Sequence, residues 1–402
     1  MSRTAAVSLV AALSLVACGD PPTAPTPRTA VPTSISADAA ATALAWASVV
    51  TGETGPGAQY ALYMPPDWNG DVVYYAHGIV DPALEPSLPT ANGIEALRDA
   101  LGAQGYAVAY SSFSETGWAV KDGAQRTHQL RGIFTSNFGK PNRSYLMGHS
   151  MGGLIVQDLA EQYGSQYDGV LAMCAPLGGA VNEINYLGDV RAIFDLFYPG
   201  VVPGDVVTVP PGTDLNTVLA AAQAAILANP TPALGYMPRI TQTPLAGSNP
   251  FNPPEIIQSI LTAIAYDLRV ADDATARAHG HVFFDNNRDY TGALPTSLLG
   301  QINAGVKRYT ATPDAMNYFE KYDTPSGSLT LPTVTLHTTR DPVVPIFHEA
   351  QFANAVTTSG SSSLLLQRTV NAYGHCNFSA SDMTSAFQAL TSWVETGVKP
   401  AS

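Results

Sequence analysis

Short apolar runs alternate with amphipathic stretches in two parts of the chain, and a long segment between them keeps only the helical pattern. Residues 60–64, 71–76, 106–110, 143–147 and 169–173 read as strands; 71–76 and 169–173 are apolar almost throughout, as expected of strands covered on both faces. Residues 91–104 place Ile94, Leu97 and Leu101 on one helical face and stop at Gly105, and 121–138 and 151–163 are further helical stretches. Strands alternating with helices predict a parallel sheet with right-handed crossovers. After Ala175-Pro176 the rhythm breaks. Residues 180–325 hold helical pieces, such as 215–228 and 255–270, between Pro- and Gly-rich joints, with aromatics at Tyr186, Phe194, Phe197, Tyr198, Tyr236 and Phe251. This segment reads as a mostly helical lid or cap, or as an independent helical domain. The strand–helix pattern resumes with strands at 333–337 and 364–370 and helices at 346–356 and 381–396. The expected fold is therefore α/β, with a core of residues 45–179 and 326–402 and an insertion of 180–325.

Before this core, residues 1–17 carry Arg3 and then a short apolar region, too short to anchor in a bilayer. It ends in Leu15-Val16-Ala17-Cys18, which resembles the lipobox of bacterial lipoproteins. That resemblance implies cleavage before Cys18 and lipidation there, hence a membrane partner through the lipid and a place on the bacterial cell envelope. The other reading is an ordinary signal for secretion. Residues 18–44, rich in Pro, Thr and Ala, read as an extended tether.

Composition narrows the picture further. The chain is 46% hydrophobic and only 13% charged, which suits a well-buried core. A net charge of −13 argues against nucleic acid as a partner. There is no H-E-x-x-H, C-x-x-C or G-x-G-x-x-G pattern, so no metal and no cofactor is expected; Asp285-Asn286-Asn287-Arg288-Asp289 fits no EF-hand spacing and reads as a polar turn.

The chemistry centres on Gly148-His149-Ser150-Met151-Gly152, a G-x-S-x-G match between a strand and a helix. That is the setting of a nucleophile elbow, where glycines are needed because side chains would strike the neighbouring strand or helix. A serine hydroxyl needs a base, and the base needs an orienting group. Ser150, Asp341 and His375 each follow a predicted strand. Of the other histidines, His149 lies inside the elbow and His77 beside a loop. His128, His279, His281, His337 and His348 lie within elements or in the insertion. Asp382 reads as a cap of the last helix. The order Ser, Asp, His on this pattern resembles the α/β-hydrolase superfamily. The resemblance implies Ser150 as nucleophile, His375 as general acid/base and Asp341 as its orienting carboxylate. It further implies an oxyanion hole from the backbone N–H groups of Met151 and, in the His77-Gly78-Ile79 loop, of Ile79.

A narrower resemblance is to secreted tannase and feruloyl-esterase-like hydrolases, carried by Asp67-Trp68-Asn69-Gly70, the HG turn after the next strand, and His375-Cys376. In part of that group the nucleophile and the base each neighbour a cysteine, and the two cysteines bond. Here Cys376 follows His375 but His149 precedes Ser150, so the pattern is half present; Cys174, which ends the strand after the elbow helix, is the alternative partner, and a Cys174–Cys376 disulfide bracing the base loop is one reading, two free thiols the other. The expected activity is hydrolysis of a small-molecule carboxylic ester. A serine peptidase of the same superfamily, a thioesterase and a non-catalytic binding lipoprotein are the alternatives.

Overall fold

The computed structural model describes residues 44–89, 94–240, 249, 252–277, 279 and 283–401. The leader at 1–17, Cys18, nearly all of the tether, His281 and Phe251 lie outside the described residues. Among the described residues eight strands form one sheet: β1 (Ser48–Glu53), β2 (Gln59–Met64), β3 (Asp71–Ala76), β4 (Ala107–Ser111), β5 (Arg143–His149), β6 (Gly169–Met173), β7 (Thr333–Arg340) and β8 (Leu365–Tyr373). Their order is β1-β2-β4-β3-β5-β6-β7-β8. The pairs β1–β2 and β2–β4 are antiparallel, and β3 to β8 run parallel.

Burial explains which strands the pattern reveals. β3, β4 and β6 are buried along their whole length, and such strands read as continuous apolar runs. β1 does not stand out in the sequence. It is an edge strand whose residues alternate between exposed and half-buried, and only its pairing with β2 from Ser48↔Met64 to Glu53↔Gln59 identifies it.

Helices α1 (Ile94–Gly102), α2 (Val120–Phe138) and α3 (Met151–Tyr163) join the strands of the first half. Then α4 (Ala180–Phe197), α5 (Leu215–Ala228), α6 (Pro253–Arg277), α7 (Thr296–Gly305) and α8 (Pro313–Tyr322) run between β6 and β7. The last two are α9 (Phe347–Thr358) and α10 (Ala380–Thr396). On one sheet face α1 and α10 cover Val73, Tyr75, Met147 and Leu336, with Phe387 edge-on to Tyr145. On the other, Phe134 of α2 packs edge-on to Tyr74. Asp382 is not the cap residue of α10: Ser379 is, and Asp382 completes the box by accepting from the Ser379 N–H at 2.9 Å.

The β6–β7 segment is fastened to the sheet by polar groups. Arg277 donates to Glu115 and to the Thr116 carbonyl, and Asp273 accepts from the Trp118 N–H at 2.7 Å. Trp118 in turn donates its indole N–H to the buried Asp323, just past α8, at 2.8 Å. Nearer the site, Arg340 pairs with Glu255 at the start of α6 at 3.1 Å, and Tyr186 of α4 donates to the Pro342 carbonyl at 3.0 Å.

Candidate active site

Because β3 to β8 are parallel, their carboxyl ends lie along one edge, and the loops that leave there converge. Ser150 follows β5, Asp341 follows β7, His375 lies two residues past β8, and Ile79 three past β3.

Ser150 sits at φ 55°, ψ −127°, a backbone region that non-glycine residues rarely enter. The turn is held by the Ser150 N–H donating to the Met173 carbonyl of β6 at 2.8 Å. Its two glycines are sterically required. A Cβ on Gly148 would lie 2.2 Å from the Gly152 carbonyl oxygen, and one on Gly152 only 2.1 Å from that of Ala76. The serine is thereby forced up from the sheet edge, with α3 beginning at the next residue.

The structure brings the three side chains expected from the sequence into one hydrogen-bonded line. His375 Nε2 lies 2.8 Å from Ser150 Oγ, and His375 Nδ1 lies 2.7 Å from Asp341 Oδ2. The other oxygen of Asp341 accepts from the backbone N–H groups of Val343 and Val344 at 2.9 and 3.0 Å. Asp341 is fully buried, and its four-residue turn keeps the carboxylate satisfied and aimed at Nδ1. With Nδ1–H given to Asp341, Nε2 is free to accept the serine proton.

Met151 is the first residue of α3, where N–H groups have no partner within the helix. The Gly153 and Leu154 N–H groups turn back to the Ser150 carbonyl, at 2.9 and 3.3 Å. Across from it, Gly78, the residue before Ile79, passes so near that a Cβ there would lie 3.2 Å from Ser150 Cβ.

Cys174, directly after β6, and Cys376, directly after His375, are joined by a disulfide with Cα atoms 5.3 Å apart. The same loop is held from its other side, where Gly374 donates to the Arg340 carbonyl at 2.9 Å and Thr338 Oγ1 donates to the Gly374 carbonyl at 2.7 Å. Ligand atoms of Cys174, His375 and Cys376 lie within 4.8 Å of one another. With both sulfurs bonded, this group offers a metal only one nitrogen, and that nitrogen is already engaged with Ser150 or Asp341.

Phe113, Ser150, Cys174 and Cys376, after β4, β5, β6 and β8, all have positive φ. His77 stacks on Phe113 with ring centres 3.8 Å apart and bonds the Gly78 carbonyl at 2.7 Å, which fits a structural role. His149 is buried, with Nδ1 in a 3.1 Å hydrogen bond with Tyr75 Oη; burial, with the charge of His375 second, pushes it down to about 3, so it stays neutral.

Several neighbours of the site were not legible in sequence. Tyr266 of α6 stands edge-on to His375, ring centres 6.5 Å apart. His348 accepts from the Gly178 N–H at Nδ1 and donates Nε2–H to Glu183 of α4 at 3.0 Å. His337 and Glu349 lie against the Asp341 turn. All of these sit inside helices or strands, where only a known register tells which way a side chain points.

No family model and no curated protein sequence matches the chain. Solved structures do resemble it loosely. Feruloyl esterase B from Aspergillus oryzae is 14% identical at a TM-score of 0.45, over 88% of this chain and 80% of that one. Candida antarctica lipase A is 14% identical at 0.42, over 86% and 75%. An acylaminoacyl peptidase from Pyrococcus horikoshii is 8% identical at 0.43, over 88% of this chain but only 42% of its own. The chain spans between 36% and 42% of the peptidases it matches. On its own topology, with a mostly parallel eight-stranded sheet, a glycine-bounded elbow after β5 and the chain order Ser, Asp, His along one sheet edge, the molecule has the α/β-hydrolase fold.

Proposed function

We propose that this protein is a serine hydrolase that cleaves carboxylic esters through an acyl-enzyme intermediate. One observation carries the reading: Ser150 Oγ, His375 and Asp341 form a continuous hydrogen-bonded line at a strained elbow. Ser150 Oγ attacks the ester carbonyl carbon as its proton passes to His375 Nε2. Asp341 orients the ring and stabilises the imidazolium that forms. The Met151 and Ile79 N–H groups receive the developing oxyanion. His375 then gives the proton to the departing alcohol oxygen, and water, deprotonated by the same nitrogen, releases the acid.

The ester preference is supported by the apolar, aromatic character of the β6–β7 segment, from which Tyr266 and Tyr186 reach the neighbourhood of His375 and of the Asp341 turn. In this reading residues 180–325 form a lid over the site, and lipidation at Cys18 places the enzyme on the cell envelope. The test is turnover of a chain-length series of p-nitrophenyl esters, with aryl esters and peptide amides alongside. Wild type is expected to prefer esters, and Ser150→Ala to lose several orders of magnitude in kcat while keeping its fold. Retained ester turnover in Ser150→Ala refutes the assignment; a preference for amides points to a peptidase.

A further inference from the structure

Two buried groups behind the Ser150–His375–Asp341 line have no part in the reaction as written. His337 lies on β7, four residues before Asp341, and is fully buried. Its Nε2 is 2.8 Å from the Val344 carbonyl oxygen and 3.7 Å from Asp341 Oδ2. A carbonyl only accepts, so Nε2 carries a hydrogen. Its Nδ1 is 3.2 Å from Glu349 Oε1, on α9. The other Glu349 oxygen is approached by Thr335 Oγ1 and by the Gln367 side-chain nitrogen, each at 2.5 Å. That Gln367 nitrogen also donates to the Glu349 backbone carbonyl at 2.8 Å, which identifies it as the amide N. Both of these donors fall on Glu349 Oε2, so Oε1 is left to His337 Nδ1, and the proton between them belongs to one of the two. A ring that donates from both nitrogens is an imidazolium.

We propose that His337 is a buried imidazolium, balanced by Glu349, that acts as a positioning residue for Asp341. It works in two ways. By holding the Val344 carbonyl it fixes the turn whose Val343 and Val344 N–H groups grip Asp341 Oδ1. By placing positive charge 3.7 Å from Oδ2 it gives the fully buried Asp341 a second cationic neighbour when His375 takes up the serine proton. The second role rests on the hydrolase reading; the protonation state does not.

The other groups around this pair agree. Burial alone would lower the ring's affinity for a proton, but the Glu349 hydrogen bond and charge, then the Asp341 charge, raise His337 above its usual value. On α9 the adjacent His348 is driven far below its usual value by burial and by the charge of His337, so it remains neutral. On α4, burial and then the charge of Asp341 hold Glu183 well above the carboxylate range, so it adds no competing negative charge. Tyr186 of α4, Tyr266 of α6 and Tyr373 of β8 also face Asp341, and burial keeps each phenol neutral.

Two measurements test this. In histidine-¹⁵N-labelled protein at pH 7, one ring is expected to show two retained N–H protons and imidazolium nitrogen shifts, lost in His337→Gln. A neutral His337 overturns the proposal whether or not the protein hydrolyses esters. In ester kinetics, His337→Gln leaves Glu349 as a bare carboxylate beside Asp341. The acidic limb of kcat/KM is expected to move up by about 1 pH unit, with kcat falling about ten-fold and KM little changed. The double variant His337→Gln/Glu349→Gln removes the bare charge and is expected to bring the limb back toward wild type, which loss of packing alone would not do. Superimposable profiles for wild type and His337→Gln, or a double variant displaced as far as the single one, refute the positioning role and leave the hydrolase assignment standing.

Discussion

Breaking the Cys174–Cys376 bond perturbs both stability and the site, and the two effects can be separated. The bond closes a loop of 202 residues. In the chain-entropy model, releasing so long a loop in the unfolded chain costs about 5 kcal/mol, and removal of native disulfides typically costs 2–5 kcal/mol. Residual structure in the unfolded chain lowers the effect, so about 4 kcal/mol is expected. Against a urea m-value of about 3 kcal/mol per M, the midpoint should fall by about 1 M. Comparing oxidised with reduced wild type isolates the cross-link, and Cys174→Ala/Cys376→Ala confirms it without free thiols. The local effect is on His375. Its loop keeps its bonds to β7 through Gly374 but loses its tie to β6. A shift of about 1 Å in the base is worth up to ~10²-fold in rate, so kcat should drop about 10- to 100-fold in folded, reduced protein. A midpoint shift below about 0.3 M refutes the stability argument. An unchanged kcat in reduced protein refutes the bracing of His375.

Gly152→Ala should lower ester turnover by at least about ten-fold and destabilise the protein by roughly 1–3 kcal/mol, because its Cβ would lie 2.1 Å from the Ala76 carbonyl oxygen and 2.6 Å from that of His77. Thermal unfolding and ester kinetics measure the two parts, and a variant with wild-type values in both refutes the packing argument. Asp323 carries a pH effect of definite sign. Burial, partly offset by the Trp118 hydrogen bond, raises it from 3.8 to about 8. The folded state then holds this proton more tightly than the unfolded chain, so its contribution is complete below pH ~4 and is lost as pH rises toward 8. Asp323→Asn should flatten that loss and gain at least about 1 kcal/mol relative to wild type at pH 8 compared with pH 5, read from urea midpoints. Equal differences at the two pH values refute it.

How far the sequence discloses the molecule depends on where the information lies. Strands buried on both faces announce themselves, as at Asp71–Ala76 and Gly169–Met173, and glycines at a sterically closed turn mark the elbow. Ser150, Asp341 and His375 are legible because each stands just past a strand, where a parallel sheet gathers its loops. β1 is hidden because half-exposed alternation over six residues resembles any polar stretch. His337 and Glu349 are hidden for another reason. Their significance lies in the directions of side chains from β7 and α9 and in a 3.7 Å approach to Asp341, which no spacing rule encodes. The Cys174–Cys376 bond, by contrast, is raised by the resemblance at His375-Cys376, and the structure forms it although β7 lies between β6 and β8 in the sheet.

The left-handed residues at the ends of β4, β5, β6 and β8 have a consequence for how the molecule fails. Phe113, Ser150, Cys174 and Cys376 hold their unfavourable φ only while the sheet beneath them stays paired. When denaturant loosens the strand ends, Phe113 and Ser150 are expected to relax early, since each gains backbone freedom on release, while the disulfide keeps Cys174 and Cys376 tied to each other. The edge that carries the chemistry is thus expected to loosen before the body of the sheet unfolds. Activity should fade at a lower denaturant concentration than the circular dichroism of the sheet and its helices, so that the enzyme reports its own loosening before it unfolds.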